Sequence, residues 1–76
     1  MGDQKLAEAL GVQLREARTL AGLTQEELAH RAKLSREYIS MVERGTKAVT
    51  VEVFVGLCKV LRASAPELLR ASLSSS

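Results

Sequence analysis

Between Leu23 and Gly45 the chain reads LTQEELAHRAKLSREYISMVERG, and this stretch limits the fold more than any other. Thr24 stands before an apolar pattern with Glu27 three residues on, the spacing of a capping box. Ser35 is a second good N-cap, so a new helix begins where the first has run only two turns. Gly45 follows that second helix, where a left-handed residue can close it. Two short helices joined at Lys33-Leu34 leave no room for a strand. Ala29 is small at the point where the two helices must cross, and a larger side chain would prop their backbones apart.

The remainder of the chain extends this pattern. Leu6, Leu10, Leu14 and Ala17 recur at helical spacing and predict a first helix from about Lys5 to Ala21, ended by Gly22, after which Leu23 packs inward. The second helix spans 25–32, buries Leu28, Ala29 and Ala32, and leaves His30 on its surface. The third spans 36–44. A fourth, 51–61, follows Thr50. A fifth, 65–72, follows Ser64, with Glu67 completing a second capping box and Pro66 in the first turn, where a missing N–H costs little. Residues 73–76 are expected to be disordered, because the tail is Ser-rich. The expected fold is therefore all-α, a compact five-helix single domain over residues 1–76.

Composition agrees with that size and class. Seventy-six residues with 46% hydrophobic and 3% aromatic content make a small core of Leu, Val, Ile and Ala. No apolar run approaches the roughly 20 residues that span a bilayer. The first ten residues lack the basic-then-apolar order of a secretory signal. A single cysteine, Cys58, cannot form an internal disulfide and fits a reducing cytoplasm. Its neighbours Leu57 and Val60 make it a small buried hydrophobe. His30 stands alone, without a second ligand at metal spacing. No catalytic constellation, phosphate loop, cofactor site or small-molecule effector site is implied, so the chain does not read as an enzyme.

The net charge of +2 is too small to name a partner. Its distribution is more telling: Lys33, Arg36, Arg44 and Lys47 face only Glu37 and Glu43 within residues 33–47, a modest surplus that favours phosphates. At about 100° per residue, Arg36, Glu37, Ser40, Met41 and Arg44 share one arc of the third helix. Ile39 and Val42 share the other, with Tyr38 on its flank.

Leu23-Thr24-Gln25, Glu27-Leu28-Ala29, Leu34-Ser35, Tyr38-Ile39-Ser40 and Glu43-Arg44-Gly45 together resemble the Cro/repressor-type helix-turn-helix family of phage and bacterial DNA-binding proteins. The likeness extends more weakly over residues 10 to 70. One departure is Lys33, where that family commonly has Gly; a left-handed Lys costs on the order of 1 kcal/mol. The resemblance implies sequence-specific binding of double-stranded DNA by a transcriptional regulator acting through operator occupancy, of the controller-protein or antitoxin kind. It implies base contacts from Arg36, Glu37, Ser40 and Met41. Arg36 would pair with guanine, Glu37 would accept from cytosine, and Met41 would touch a thymine methyl. It implies phosphate contacts from Gln25, at a helix N-terminus, and from Ser35, Tyr38, Arg44, Thr46 and Lys47. Arg18 and Glu43 would pair inside the domain. The other class of function open to the same helices is a protein-interaction domain that reads no DNA.

The fourth helix, VEVFVGLCKVL, is apolar on more than one face. With Val51, Phe54, Leu57, Cys58 and Leu61 assigned to the core, Val53, Val55 and Val60 are left over, and Leu69 and Leu73 add to them. These five are the expected surface of a homodimer that reads a palindromic operator.

Overall fold

The second to fifth helices start, and the first to fourth stop, at local signals. In the structure, a computed structural model that describes residues 2–75 and only the backbone of residues 2 and 3, five helices follow one another: α1 Gly2–Leu20, α2 Gln25–Ala32, α3 Arg36–Arg44, α4 Val51–Leu61 and α5 Ala65–Ser75. The hydroxyls of Thr24, Ser35 and Thr50 accept from the N–H three residues on, at 3.0, 3.0 and 3.1 Å. At Thr24 the Glu27 carboxylate returns the bond at 2.8 Å, closing the box. Ser64 accepts from the Glu67 N–H at 3.3 Å, and only that half of the expected second box forms.

The first four helices also end alike. Gly22, Lys33, Gly45 and Arg62 all have positive φ, at 75°, 59°, 75° and 54°. In each case the next N–H reaches back five residues, Leu23 to Arg18, Leu34 to Ala29, Thr46 to Met41 and Ala63 to Cys58. This is the Schellman closure, which satisfies carbonyls that the helix leaves orphaned. Lys33 therefore adopts the left-handed turn that usually falls to Gly, and Arg62 does the same at the end of α4.

The helices close around Leu14, Leu28, Ile39, Leu57 and their neighbours, all buried. α1 is the spine, packed against α3 on one side and along α5 on another; α2 packs on α3 and α4. The α1–α3 crossing is very close. A methyl group on Gly11 would lie 2.5 Å from the Val42 carbonyl oxygen and 2.6 Å from that of Glu43, so only a hydrogen fits there. Gly45 meets two demands at once, the positive φ and a close approach to the Glu8 backbone.

Several expectations are corrected. α1 begins at Gly2, not Lys5, and ends at Leu20. Its first turn carries no apolar residue to reveal it, but Gln4 and Lys5 are good helix formers. The tail expected to be disordered is helical through Ser75, and Ser76 lies outside the described residues. Ser72 explains the extension: it is fully buried, and its hydroxyl donates to the Leu68 carbonyl at 2.7 Å, so a short polar residue sits inside the bundle without an orphaned group. Val51 is not in the core but 79% exposed, because the Thr50 cap makes it the first residue of α4, ahead of the turns that meet the bundle. Val53 and Val60 are half-buried against the chain's own core, whereas Val55, Leu69 and Leu73 are exposed.

Candidate nucleic-acid interface

α3 presents the arc that its sequence specifies. Ile39, Val42 and Glu43 are buried and Tyr38 is half-buried against the core. On the outer arc Glu37 and Arg44 are exposed, with Ser40 and Met41 half-exposed, and Arg36 is exposed at the edge of the arc nearest Glu43. The helix is nine residues long. At 1.5 Å per residue, Arg36 and Arg44 stand about 12 Å apart at its two ends.

The residues expected at phosphates gather at these two ends. At the front, the Ser35 hydroxyl caps α3 through its lone pair and keeps its own proton to donate. Half-buried Gln25 opens α2 beside Arg36. At the back, Arg44 Nε donates to the Ser40 carbonyl at 3.3 Å and Thr46 Oγ1 to the Met41 carbonyl at 3.2 Å. Lys47 follows, exposed. Tyr38 lies between the ends, on the flank of the helix.

Behind the arc runs a connected set of charges and amides. Arg18 grips the Glu43 carboxylate side-on, Nε to Oε2 at 2.7 Å and Nη2 to Oε1 at 3.1 Å, while its Nη1 donates to the Leu23 carbonyl at 2.7 Å. The side chains are 13% and 4% exposed, so the pair is shielded from water. One bidentate fork thus ties α1 to α3 and to the chain entering α2. Gln25 Nε2 donates to Glu43 Oε1 at 3.0 Å, and Gln25 Oε1 accepts from Arg36 Nη1 at 3.4 Å.

This set changes the charge at the surface. Counted in sequence, Glu43 offsets one of the cations of residues 33–47; in the fold it is buried and neutralised by Arg18. The exposed charges of that segment are Lys33, Arg36, Arg44 and Lys47 against Glu37 alone. The surface near α3 is more cationic than the net charge of +2 suggests.

Other chemistry has little footing. No group of three His, Cys, Asp or Glu residues among the described residues is placed to hold a metal ion. His30 is exposed. Cys58 is buried, and burial pushes its thiol up from the usual value, so it stays protonated and inert. No helix among the described residues is long and apolar enough to cross a membrane.

A helix-turn-helix family model matches residues 14–68. The chain belongs to the helix-turn-helix family. The control protein C.SmaI of Serratia marcescens is 39% identical over 64 residues, covering 84% of this chain and 76% of that protein. The clp gene regulator ClgR of Corynebacterium glutamicum shares the fold with a TM-score of 0.87 and 40% identity, over 92% of this chain and 74% of ClgR. The restriction-modification controller protein C.Esp1396I, solved as a tetramer on its natural 35 base-pair operator, matches with a TM-score of 0.79 and 27% identity over 92% of each chain.

Two features of the site escape a reading of the sequence alone. Gly11 sets how closely α1 and α3 approach, and its signal was a glycine inside a helical pattern, which costs about 1 kcal/mol unless packing requires it. The link from Glu43 through Gln25 to Arg36 had a weaker signal. Residues 36 and 43 are seven apart, so they lie on one side of α3, two turns from each other.

Proposed function

We propose that this protein is a transcriptional regulator that binds double-stranded DNA sequence-specifically and acts by occupying its operator as a homodimer. The observation that carries the proposal is the outer arc of α3, exposed at Arg36, Glu37 and Arg44 and half-exposed at Ser40 and Met41. A helix with such an arc fits a major groove about 12 Å wide, and its two ends, about 12 Å apart, bring donors toward the flanking backbones. Arg36, Glu37, Ser40 and Met41 are assigned to base edges. Gln25, Ser35, Tyr38, Arg44, Thr46 and Lys47 are assigned to phosphates. Membership of a family that includes a control protein and an operator-bound controller supports the same reading. Nothing in the reading calls for catalysis or a cofactor, and its place of action is the cytoplasm, where the DNA is.

The homodimer is assigned to the exposed apolar residues of α4 and α5. Val51 and Val55, four apart, share one face of α4; Leu69 and Leu73, four apart, share one face of α5. Of the residues expected there, Val53 and Val60 are partly used by the chain's own core and contribute at the margin. Two reading helices one DNA turn apart, about 34–36 Å, would square the discrimination of one.

Selection from a random duplex library, followed by sedimentation, tests the proposal. The expected outcome is a palindromic site, binding that weakens steeply with salt, and a dimer at micromolar concentration. A chain that shifts no duplex at low salt is an interaction module instead, and a monomer with an asymmetric site overturns the dimer.

A further inference from the structure

We propose that the cleft between α1 and the segment joining α3 to α4 binds a small carboxylate carrying one apolar ring, and that this ligand weakens the hold on DNA. The site goes beyond the function proposed above, and only its effect on DNA rests on that reading.

No single stretch of sequence announces the cleft, because the fold assembles it. Leu6 and Leu10 come from the first half of α1, Val42 from the inner side of α3, and Val49 from the segment that runs on to α4. Together with their neighbours they enclose about 180 Å³. The other apolar residues of the lining are too short to fill it. Ala7 and Ala48 end at a methyl. Gly11 can carry no methyl at all, since one would collide with the Val42 and Glu43 carbonyls. Unfilled apolar space forfeits dispersion contacts, so a close-packed bundle keeps little of it. A leucine in place of Ala7 would fill part of the cleft at almost no cost in helix propensity.

Size and charge name the occupant. An apolar cavity of about 150 Å³ holds a benzene molecule, so this cleft takes one ring and a small substituent. It lies below the roughly 300 Å³ at which sites for larger ligands begin. Among the described residues Lys47 is the one charged side chain on the lining, and it is exposed. Its ammonium makes no hydrogen bond or ion pair among the described residues. Glu8, next to Ala7, lies against Gly45 and does not line the cleft. Apolar walls with a single cation at the mouth suit a compact anion on an apolar ring. One ammonium matches the single charge of a carboxylate.

The position of the cleft gives its ligand a consequence. Lys47 and its neighbour Thr46 are both assigned to phosphates. A carboxylate paired with Lys47 takes that cation from the duplex, and its ring wedges behind the segment that presents it. Ligand and duplex therefore compete for one charge, and each weakens the other by the same factor.

Benzoate is the probe, with benzamide as its uncharged counterpart. In the wild-type chain benzoate should shift the methyl NMR signals of Leu6, Leu10, Val42 and Val49 saturably and leave those of Leu28 and Val55, which do not line the cleft, in place. Benzamide should bind severalfold more weakly, and Lys47→Gln should bring benzoate down to the level of benzamide. Ala7→Leu should abolish the shifts while circular dichroism shows unchanged helix content. If Ala7→Leu does not fold, Lys47→Gln, a change at an exposed residue, still decides the site. At matched ionic strength, which holds phosphate screening constant, saturating benzoate should weaken duplex binding of the wild type by about fivefold or more. Ala7→Leu should bind duplex equally well with and without benzoate. Shifts that do not saturate, or that are no larger at the cleft than elsewhere, overturn the site. Equal affinity for benzoate and benzamide overturns the choice of a carboxylate. Wild-type duplex affinity that is unchanged under saturating benzoate overturns the competition. A wild-type chain that binds no duplex removes the DNA-reading function itself, and the benzoate shifts then decide the site alone.

Discussion

The two halves of the molecule are built from the same backbone parts and carry different side-chain chemistry. From the end of α1 through α3, hydroxyl caps and left-handed closures frame a polar network in which Arg18, Glu43, Gln25 and Arg36 each bond the next. From Thr50 to Ser75 the caps and the Arg62 closure are of the same kind, but the side-chain hydrogen bonds of Thr50, Ser64 and Ser72 are local, three to four residues long. There four large apolar side chains, Val51, Val55, Leu69 and Leu73, are exposed among the charged residues of α4 and α5. Backbone signals thus determine where helices lie, and facing side chains determine what each half is for. A polar network holds a reading helix in one pose. An apolar surface suits association, where fit can be settled by the partner.

The largest expected effect tests whether the network is structural in one half only. Glu43→Ala strands the Arg18 guanidinium in a shielded site and should cost about 3–5 kcal/mol, close to the whole stability of so small a domain. Leu69→Ala, on the exposed face of α5, should change monomer stability by no more than about 0.5 kcal/mol. Urea unfolding of the two variants makes the comparison at a protein concentration low enough to exclude association. A Glu43→Ala cost below about 1 kcal/mol would class its bond with Arg18 as an ordinary surface pair. A large cost at Leu69 would mean that the second half depends on that surface to fold.

The backbone likeness is tested next, through the two strained closures. Lys33 and Arg62 hold left-handed φ at equivalent ends of α2 and α4. Replacing either by Gly relieves a conformational cost of about 1–2 kcal/mol and adds about 0.4–1 kcal/mol of unfolded-state entropy. Each of Lys33→Gly and Arg62→Gly should therefore stabilise by about 0.5–1 kcal/mol, read as a rise in Tm. Similar gains would show that both halves pay the same local cost. A gain at one site alone would mean that side-chain contacts, not backbone strain, decide the other.

Much of this was legible in the sequence because it is written locally. Five helices and the hydroxyl caps at Thr24, Ser35 and Ser64 follow from spacings of three to five residues, whereas the left-handed turn at Lys33 was suggested only by resemblance to a family. The inner and outer arcs of α3 follow from its period. The pairing of Arg18 with Glu43, 25 residues apart, came only through resemblance to a family, since no local rule joins two such distant charges. What stayed hidden depended on contact between helices. Val51 has the right residue type for a core and the wrong place in the bundle. Ser72 reads as the polar last residue of a helix until α1 is seen beside α5. The bonds of Gln25 to Glu43 and Arg36 depend on how α2 lies against α3, so Gln25 and Arg36 looked like separate surface contacts.

The smallest effect separates a full capping box from half of one. Thr24→Ala should cost about 1 kcal/mol, since it removes the hydroxyl that accepts from the Glu27 N–H, while the backbone N–H that donates to the Glu27 carboxylate stays in place. Ser64→Ala removes one long bond at 3.3 Å and should cost about half as much, at the low end of the range for caps. The pH dependence gives an independent check. The Thr24 backbone N–H, then its hydroxyl, holds the Glu27 carboxyl below its ordinary value of 4.5. A lowered folded-state pKa means that the unfolded chain takes up the proton more readily. The contribution is therefore complete above the unfolded pKa and is lost as pH falls through the folded one. Thermal unfolding of wild type and Glu27→Ala should then converge as the solution is acidified below about pH 4.5. Wild type and Ser64→Ala, where no carboxylate takes part in the bond, should keep their small separation. Curves for Glu27→Ala that stay parallel to wild type down to acid would show that the hydroxyl alone does the capping and that the box adds nothing.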